Sequence, residues 1–411
     1  MLLMSTNSRR LLANSLLITV AIVSIFTTNI SSSSTTTTTE GIVLSPKSQF
    51  SSLRQKMGQS ISTTQWYVYG RKHFTQSGYN RHVKDYYQSL GGVQSSASIG
   101  RNVEGSDGVN LYGKVVVITG ANSGIGFELA TYAAAKGAKL YMLCRTLERA
   151  EKAKEEIIQS TKNDNIKIIQ VDTGELSQVR NAARELDSEP KIHCLVCNAG
   201  ALYNDKRMTS EGNEATISSH LFGGSYLLTK LLLPKLQLPL QTNNNNNNGE
   251  SDSDSNSSRV IYVSSGGMYN TKFPSWEEAT NTAPNQKYDG VMAYAYAKRG
   301  QILLAEEFAK LHPSVKFVSC HPGWVDTVGV DEAFGSGKKI FSPLRSKWEG
   351  SEGIAWLMGT NGTNLENGGF YLDRKTCPKH IAGPFMSEGS YTKNSDEEVR
   401  AFMEQLSQSI G

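Results

Sequence analysis

The chain has 411 residues, a length that fits one large α/β domain with extensions as well as two or three smaller domains. Its 38% hydrophobic content suffices for a sizeable core, and its net charge of +4 is scattered rather than gathered into the basic stripe that nucleic acid requires. Five sparse cysteines, Cys144, Cys194, Cys197, Cys320 and Cys377, give an odd number at low density and indicate no disulfide framework.

Residues 1–60 differ from the rest. Arg9 and Arg10 precede a mostly apolar run from Leu11 to Phe26, which is short of the roughly 20 residues of a membrane span. A basic start followed by an apolar stretch of this size has the pattern of a signal peptide or signal anchor, although no clear cleavage site follows. Residues 9–26 therefore point to association with a secretory-pathway or organelle membrane. Another organelle leader and a simple tail are the alternatives. The Ser/Thr run from Ser31 to Thr39 reads as a flexible linker.

Residues 61–110 interleave Trp66, Tyr67, Tyr69, Phe74, Tyr79, Tyr86 and Tyr87 with Lys, Arg and His. This extension is expected to form a helix that caps the main domain, with a membrane-surface role as the alternative.

From Leu111 onward, short apolar runs alternate with helical stretches. Strands are expected at 114–119, 140–143, 166–171, 192–197, 259–263 and 315–320. Helices are expected up to Lys136, over 147–160, up to Leu236, over 294–311 and over 395–410. This alternation implies parallel βαβ units. The near-continuous apolar strands imply a sheet covered on both faces. The fold class is α/β, a doubly wound parallel sheet of Rossmann type in a single domain over 111–411. The Asn/Ser/Asp tract of residues 242–258 reads as a solvent loop. The Cys194-Leu195-Val196-Cys197 run lies on a predicted strand, where positions three apart face opposite sides. Without a second such pair it reads as core and not as a zinc site.

The first strand runs into Thr119-Gly120-Ala121-Asn122-Ser123-Gly124-Ile125-Gly126. Glycines between a strand and a helix allow a tight turn, close approach of a pyrophosphate, and an anion site at the helix N-terminus. The end of the second strand should meet the adenosine ribose. Its sequence, Leu143-Cys144-Arg145, offers no carboxylate for the ribose hydroxyls of NAD and instead offers Arg145 to a 2′-phosphate. The expected cofactor is NADP, with NAD as the alternative. Asp172, after the third strand, is placed to touch the adenine. Asn198-Ala199-Gly200 follows the fourth strand at the carboxyl edge of the sheet, near the cofactor.

Ser265 follows the fifth strand, and Tyr294 and Lys298 share one helix face at i and i+4. A free tyrosine has a pKa near 10, and a neighbouring ammonium is expected to lower it. A hydride carrier, a tuned proton donor and an orienting hydroxyl are the parts that alcohol–carbonyl interconversion needs. Tyr296 is the competing tyrosine, but its i+4 partner is Gly300. No G-x-S-x-G surrounds Ser265, which argues against a serine hydrolase.

The ordered set Thr119 to Gly126, Asn198-Ala199-Gly200, Ser265, Tyr294/Lys298 and Pro322-Gly323 with Val325 and Thr327 resembles the short-chain dehydrogenase/reductase superfamily over about residues 111–375. The resemblance implies that Tyr294 is the general acid/base, that Lys298 holds the nicotinamide ribose and lowers the Tyr294 pKa, that Ser265 orients the substrate, and that Pro322 to Thr327 pass the nicotinamide. Gly70-Arg71-Lys72, Ser77-Gly78-Tyr79, Val263 to Met268, His321 to Thr327 and Asp373-Arg374-Lys375 further resemble the subgroup of SDR family member 12 proteins. That would make the aromatic extension part of the subgroup pattern. Where the family has a catalytic Asn anchoring a relay water, this chain has His220, with one extra residue before Leu227. The altered relay and a structural histidine stay as the two readings of His220.

The expected function is an NADP(H)-dependent oxidoreductase on a small, lipophilic substrate, with Phe334, Phe341 and Trp348 of residues 328–350 as a pocket lid. The alternative is a catalytically idle nucleotide-binding sensor or scaffold. No nucleic-acid partner and no metal are expected, and the sequence leaves the oligomeric state open.

Overall fold

A computed structural model describes residues 63–89, 109–238, 257–327, 330, 335–381, 388, 389 and 391–410. The leader and linker expected within residues 1–60, Phe334, and the insert at 242–256 lie outside these.

The β-branched run Val115-Val116-Val117-Ile118-Thr119 forms strand β1 (Val115–Thr119), buried at every position. Branched side chains suit a pleated surface that is covered on both faces. Strands β2 (Lys139–Cys144), β3 (Ile166–Gln170), β4 (Cys194–Cys197), β5 (Arg259–Val263), β6 (Lys316–Cys320), β7 (Phe370–Leu372) and β8 (Lys375–Thr376) complete an eight-stranded sheet of order β3-β2-β1-β4-β5-β6-β7-β8. The first seven strands are parallel, and β8 returns antiparallel to β7. The order reverses between β1 and β4, which opens a crevice at the carboxyl ends of the strands.

Among the described residues, two helices precede the sheet, α1 (63–73) and α2 (Gln76–Ser89). On one face of the sheet lie α3 (Gly124–Ala135), α4 (Leu147–Thr161) and α8 (Lys347–Gly359), packed through Leu129, Ile157 and Ile354. On the other lie α5 (Leu176–Glu185), α6 (215–237), α7 (Gly290–Leu311) and α9 (Asp396–Ile410), packed through Val179, Ile217, Leu304 and Phe402. Cys194 packs into the first layer and Cys197 into the second, the opposite faces that strand geometry demands.

Six of the eight strands follow the apolar runs of the sequence. β7 and β8 were not foreseen, because three and two residues are too short for a periodicity signal. Helix α7 begins four residues before the expected start, since the Asp289 carboxylate accepts from Met292 N at 3.0 Å and caps it at Gly290. Trp348, expected in a lid, instead lies on α8 against Tyr132, with ring centroids 5.9 Å apart on the far side of the sheet.

The N-terminal helices are tied into the body. Trp66 and Phe74 join Tyr269, Trp324, Phe341 and Phe370 in an aromatic cluster. A Cβ on Gly70 would stand 2.4 Å from the Trp324 ring, so glycine lets α1 approach this closely. The fully buried Arg345 guanidinium donates to Phe74 O at 2.9 Å and His73 O at 2.8 Å. It also grips Asp373 with two bonds of 2.6 and 2.8 Å, the fork geometry that favours arginine. His82 of α2 contacts the same carboxylate at 2.8 Å. Among the described residues no helix is long and apolar enough to cross a membrane.

Candidate active site

The crevice over β1 and β4 is a cleft of about 1140 Å³. Gly120, Asn122, Ser123, Gly124 and Ile125 form one end, and Ser265, Tyr294 and Lys298 line the other with Pro322, Gly323, Val325 and Thr327. Thr63, Thr64 and Trp66 of α1 add to the wall at this second end, a contribution that no motif announced.

The glycine turn is built as a cradle. Gly120 and Gly124 have φ of +67° and +56°, in the left-handed region open to glycine. A Cβ on Gly126 would meet Gly120 O at 2.2 Å, so Gly126 packs behind the turn and does not line the cleft. Ser123 stands at the N-cap of α3 without a side-chain capping bond, and the first amides of a helix have no intrahelical acceptor. That combination fits a dinucleotide pyrophosphate. The Thr119 hydroxyl accepts from Asn198 N and Ala199 N, both at 2.9 Å, and Asn198 Nδ2 donates to Thr119 O at 3.0 Å. Asn198-Ala199-Gly200 is thereby fixed as the floor of the cleft.

Arg145 and Asp172 both line the cleft. Arg145 Nη1 lies 3.6 Å from Asp172 Oδ2 and 3.3 Å from the Tyr203 hydroxyl, an exposed and loose pairing. Arg149 of α4 lines the same region and was missed by the sequence reading, because a helical arginine has no distinguishing pattern.

At the reacting end, Lys298 Nζ lies 5.4 Å from the centre of the Tyr294 ring. The pKa of Tyr294 nevertheless moves up, not down: burial raises it and the Ser265 hydroxyl only partly counters this. The expectation that the ammonium alone would lower it is therefore corrected for the protein by itself. Lys298 is itself buried, which pushes its pKa down to about 7, and it donates to Val263 O at 2.7 Å. Tyr296 turns away and donates to Glu278 Oε1 at 2.7 Å.

His220 sits beside Tyr294, ring centroids 5.2 Å apart and edge to face. Its Nε2 is 3.2 Å from Ala201 O, which assigns the proton to Nε2. Its Nδ1 is buried without a hydrogen-bond partner. Burial, with Lys298 adding to it, holds the imidazole neutral. The ring packs so closely on Gly200 that a Cβ there would stand 1.8 Å from His220 Cε1. Residues Ser218–Leu227 of α6 form a π-helix. The wider turn absorbs one additional residue, which accounts for the extra residue noted before Leu227.

A lysine held low in the folded state carries an energetic cost that is full below pH 7 and fades as pH rises towards its ordinary value of 10.5. Replacing Lys298 by Met should therefore stabilise the cofactor-free protein more at about pH 6 than at about pH 10. Thermal melts at the two pH values read the difference. An equal or larger gain at the higher pH would contradict the placement of this charge.

The family model for short chain dehydrogenase matches residues 114–250. Dehydrogenase/reductase SDR family member 12 of Homo sapiens is 31% identical over 347 residues, covering 84% of this chain and 97% of that protein. The chain belongs to the short-chain dehydrogenase/reductase family. It is an NAD(P)-dependent oxidoreductase. Retinol dehydrogenase 12 of Bos taurus is 31% identical over 283 residues, 67% of this chain and 82% of that protein. Retinol dehydrogenase 11 of Homo sapiens is 33% identical over 223 residues, 53% of this chain and 63% of that protein. Among solved structures, levodione reductase is matched with a TM-score of 0.47 and 18% identity over 61% of this chain and 92% of that one.

Proposed function

We propose that this oxidoreductase interconverts an alcohol and a carbonyl on a small lipophilic substrate with NADP(H), and that Tyr294 is its general acid/base. The observation that carries the reading is the meeting of Ser265, Tyr294 and Lys298 at one end of a cleft whose other end is the glycine turn. Bound there, a nicotinamide dinucleotide supplies the hydride. Tyr294 donates its hydroxyl proton to the carbonyl oxygen on reduction and takes it back on oxidation. The single Ser265 O–H favours the Tyr294 phenolate when no substrate oxygen is bound and donates to that oxygen when it is. Lys298 would offer its remaining donor to the nicotinamide ribose, and its ammonium, 5.4 Å from the centre of the Tyr294 ring, favours the phenolate. Pro322 to Thr327 flank the nicotinamide.

The retinol dehydrogenases among the relatives and the aromatic wall of Trp66, Trp324 and Phe341 favour a lipophilic substrate. The leader-like residues 9–26 suit an enzyme that meets such substrates at a membrane. NADP is preferred over NAD because Arg145 follows β2, Arg149 also lines the cleft, and β2 ends without a carboxylate of its own.

Binding titrations and turnover with both cofactors against a panel of long-chain aldehydes, ketones and small sugars test the reading. Arg145→Ala should weaken NADPH binding by about tenfold or more, the value of one charge-assisted contact, and leave NADH binding within about twofold. Equal losses for both cofactors would remove the NADP assignment. A preference for polar sugars would remove the lipophilic one.

A further inference from the structure

Behind Lys298, on the side away from the cleft, lies a buried side-chain bridge. Gln301 is one turn further along α7 and only 1% exposed. Its Oε1 accepts from Lys298 Nζ at 3.2 Å. Its Nε2 donates to His220 O at 3.2 Å and to Ser225 Oγ at 2.9 Å. The Ser225 hydroxyl donates in turn to His220 O at 2.6 Å. The π-helix places Ser225 five residues beyond His220, on the same carbonyl. Protein atoms alone thus connect the lysine to the widened helix.

An ammonium has three donors. Two are engaged by Val263 O and Gln301 Oε1, which leaves one for the cleft that Lys298 lines. A water between Lys298 and His220 O could accept a proton on one side and release one on the other. A carboxamide cannot, because its nitrogen keeps both hydrogens and its oxygen only accepts.

We propose that Gln301 is a positioning residue that fixes Lys298 through an all-protein link to His220 O and closes that side of the lysine to proton exchange. The proposal rests on the function assigned above. In each reduction the Tyr294 O–H bond breaks and the proton passes to the substrate oxygen. The phenolate left behind regains its proton from solvent water in the cleft, not from behind Lys298. The other titratable groups facing Lys298 are Cys197 from β4, Cys320 from β6, His220 from α6, His321 after β6 and Tyr294 on its own helix. Burial keeps both thiols protonated and both imidazoles neutral near neutral pH.

The test uses the full chain with lysines labelled at Cε, titrated by NMR, with the Lys298 signal identified by its loss in Lys298→Met. Gln301→Glu places a carboxylate on the ammonium and should raise the Lys298 pKa by about one unit or more. Gln301→Leu removes an acceptor of the charged form and should lower it. In kinetics, Gln301→Leu should cut kcat/KM for NADPH-driven reduction by about tenfold, and Gln301→Glu should recover part of it with an altered pH profile. If Gln301→Leu fails to fold, Gln301→Met serves as the apolar variant. Lys298 titrating within about 0.3 unit of the parent in both variants, or pH profiles indistinguishable from the parent, would overturn the proposal. If the parent turns over no carbonyl, the functional reading fails, and the NMR titration still decides whether Gln301 holds Lys298.

Discussion

Replacing Asp373 by Ala should lower stability by about 3–5 kcal/mol, the scale for breaking a buried ion pair by removing one partner. For a chain of this size that corresponds to a fall of roughly 4–6 °C in Tm. The cause is what remains: an Arg345 guanidinium that is 0% exposed and keeps no carboxylate. Burial raises the pKa of Asp373, but Arg345 and His82 outweigh it and hold the carboxylate ionised. Its contribution is therefore present at neutral pH and lost only as pH falls through that depressed value. The double replacement Asp373→Ala with Arg345→Met should recover part of the loss, because no charge is then stranded. A decline of less than about 1 kcal/mol in the single variant would show the pair to be incidental.

The consequence for function is specific. Arg345 also holds the backbone of residues 73 and 74, and α1 supplies Thr63, Thr64 and Trp66 to the cleft wall. Loosening this clamp should raise KM for a lipophilic carbonyl more than it weakens NADPH, whose cradle lies at the other end.

Tyr294→Phe should lower kcat by about 10²- to 10⁴-fold, the usual worth of a positioned proton donor. NADPH binding should stay within about threefold, since the glycine turn and Lys298 are untouched. Removing the hydroxyl also removes the group that Ser265 stabilises, so Ser265→Ala combined with Tyr294→Phe should cost little more than Tyr294→Phe alone. Parent-like turnover in Tyr294→Phe would show that another group delivers the proton.

Much of this was legible in the sequence because it depends on local spacing. The glycine turn, the strand ends and the Tyr294/Lys298 pair are defined by a few adjacent residues, and the structure brings them to one cleft. The parts that were not legible depend on long-range packing. Gln301 meets His220 O across 81 residues of chain, and only through a π-helix that no periodicity reveals. The Arg345–Asp373 clamp reaches Asp373 in the β7–β8 turn, whose strands are too short to read. Trp348 misled because an aromatic residue in a loop-like stretch does not announce which face of the sheet it will cover. The Tyr294 pKa misled for a related reason. Helical spacing brings Lys298 near, but burial acts on both groups and outweighs their proximity.

Hydride transfer takes place at the Tyr294 end of the cleft if the proposed function holds. Its most direct test is to incubate the protein with a lipophilic aldehyde and NADPH deuterated at the transferable position, and to weigh the alcohol product. One deuterium per product molecule at the carbinol carbon, from one face of the nicotinamide only and nearly abolished in Tyr294→Phe, is the result expected. NADPH that binds without passing deuterium to any carbonyl would contradict the account and favour a nucleotide sensor.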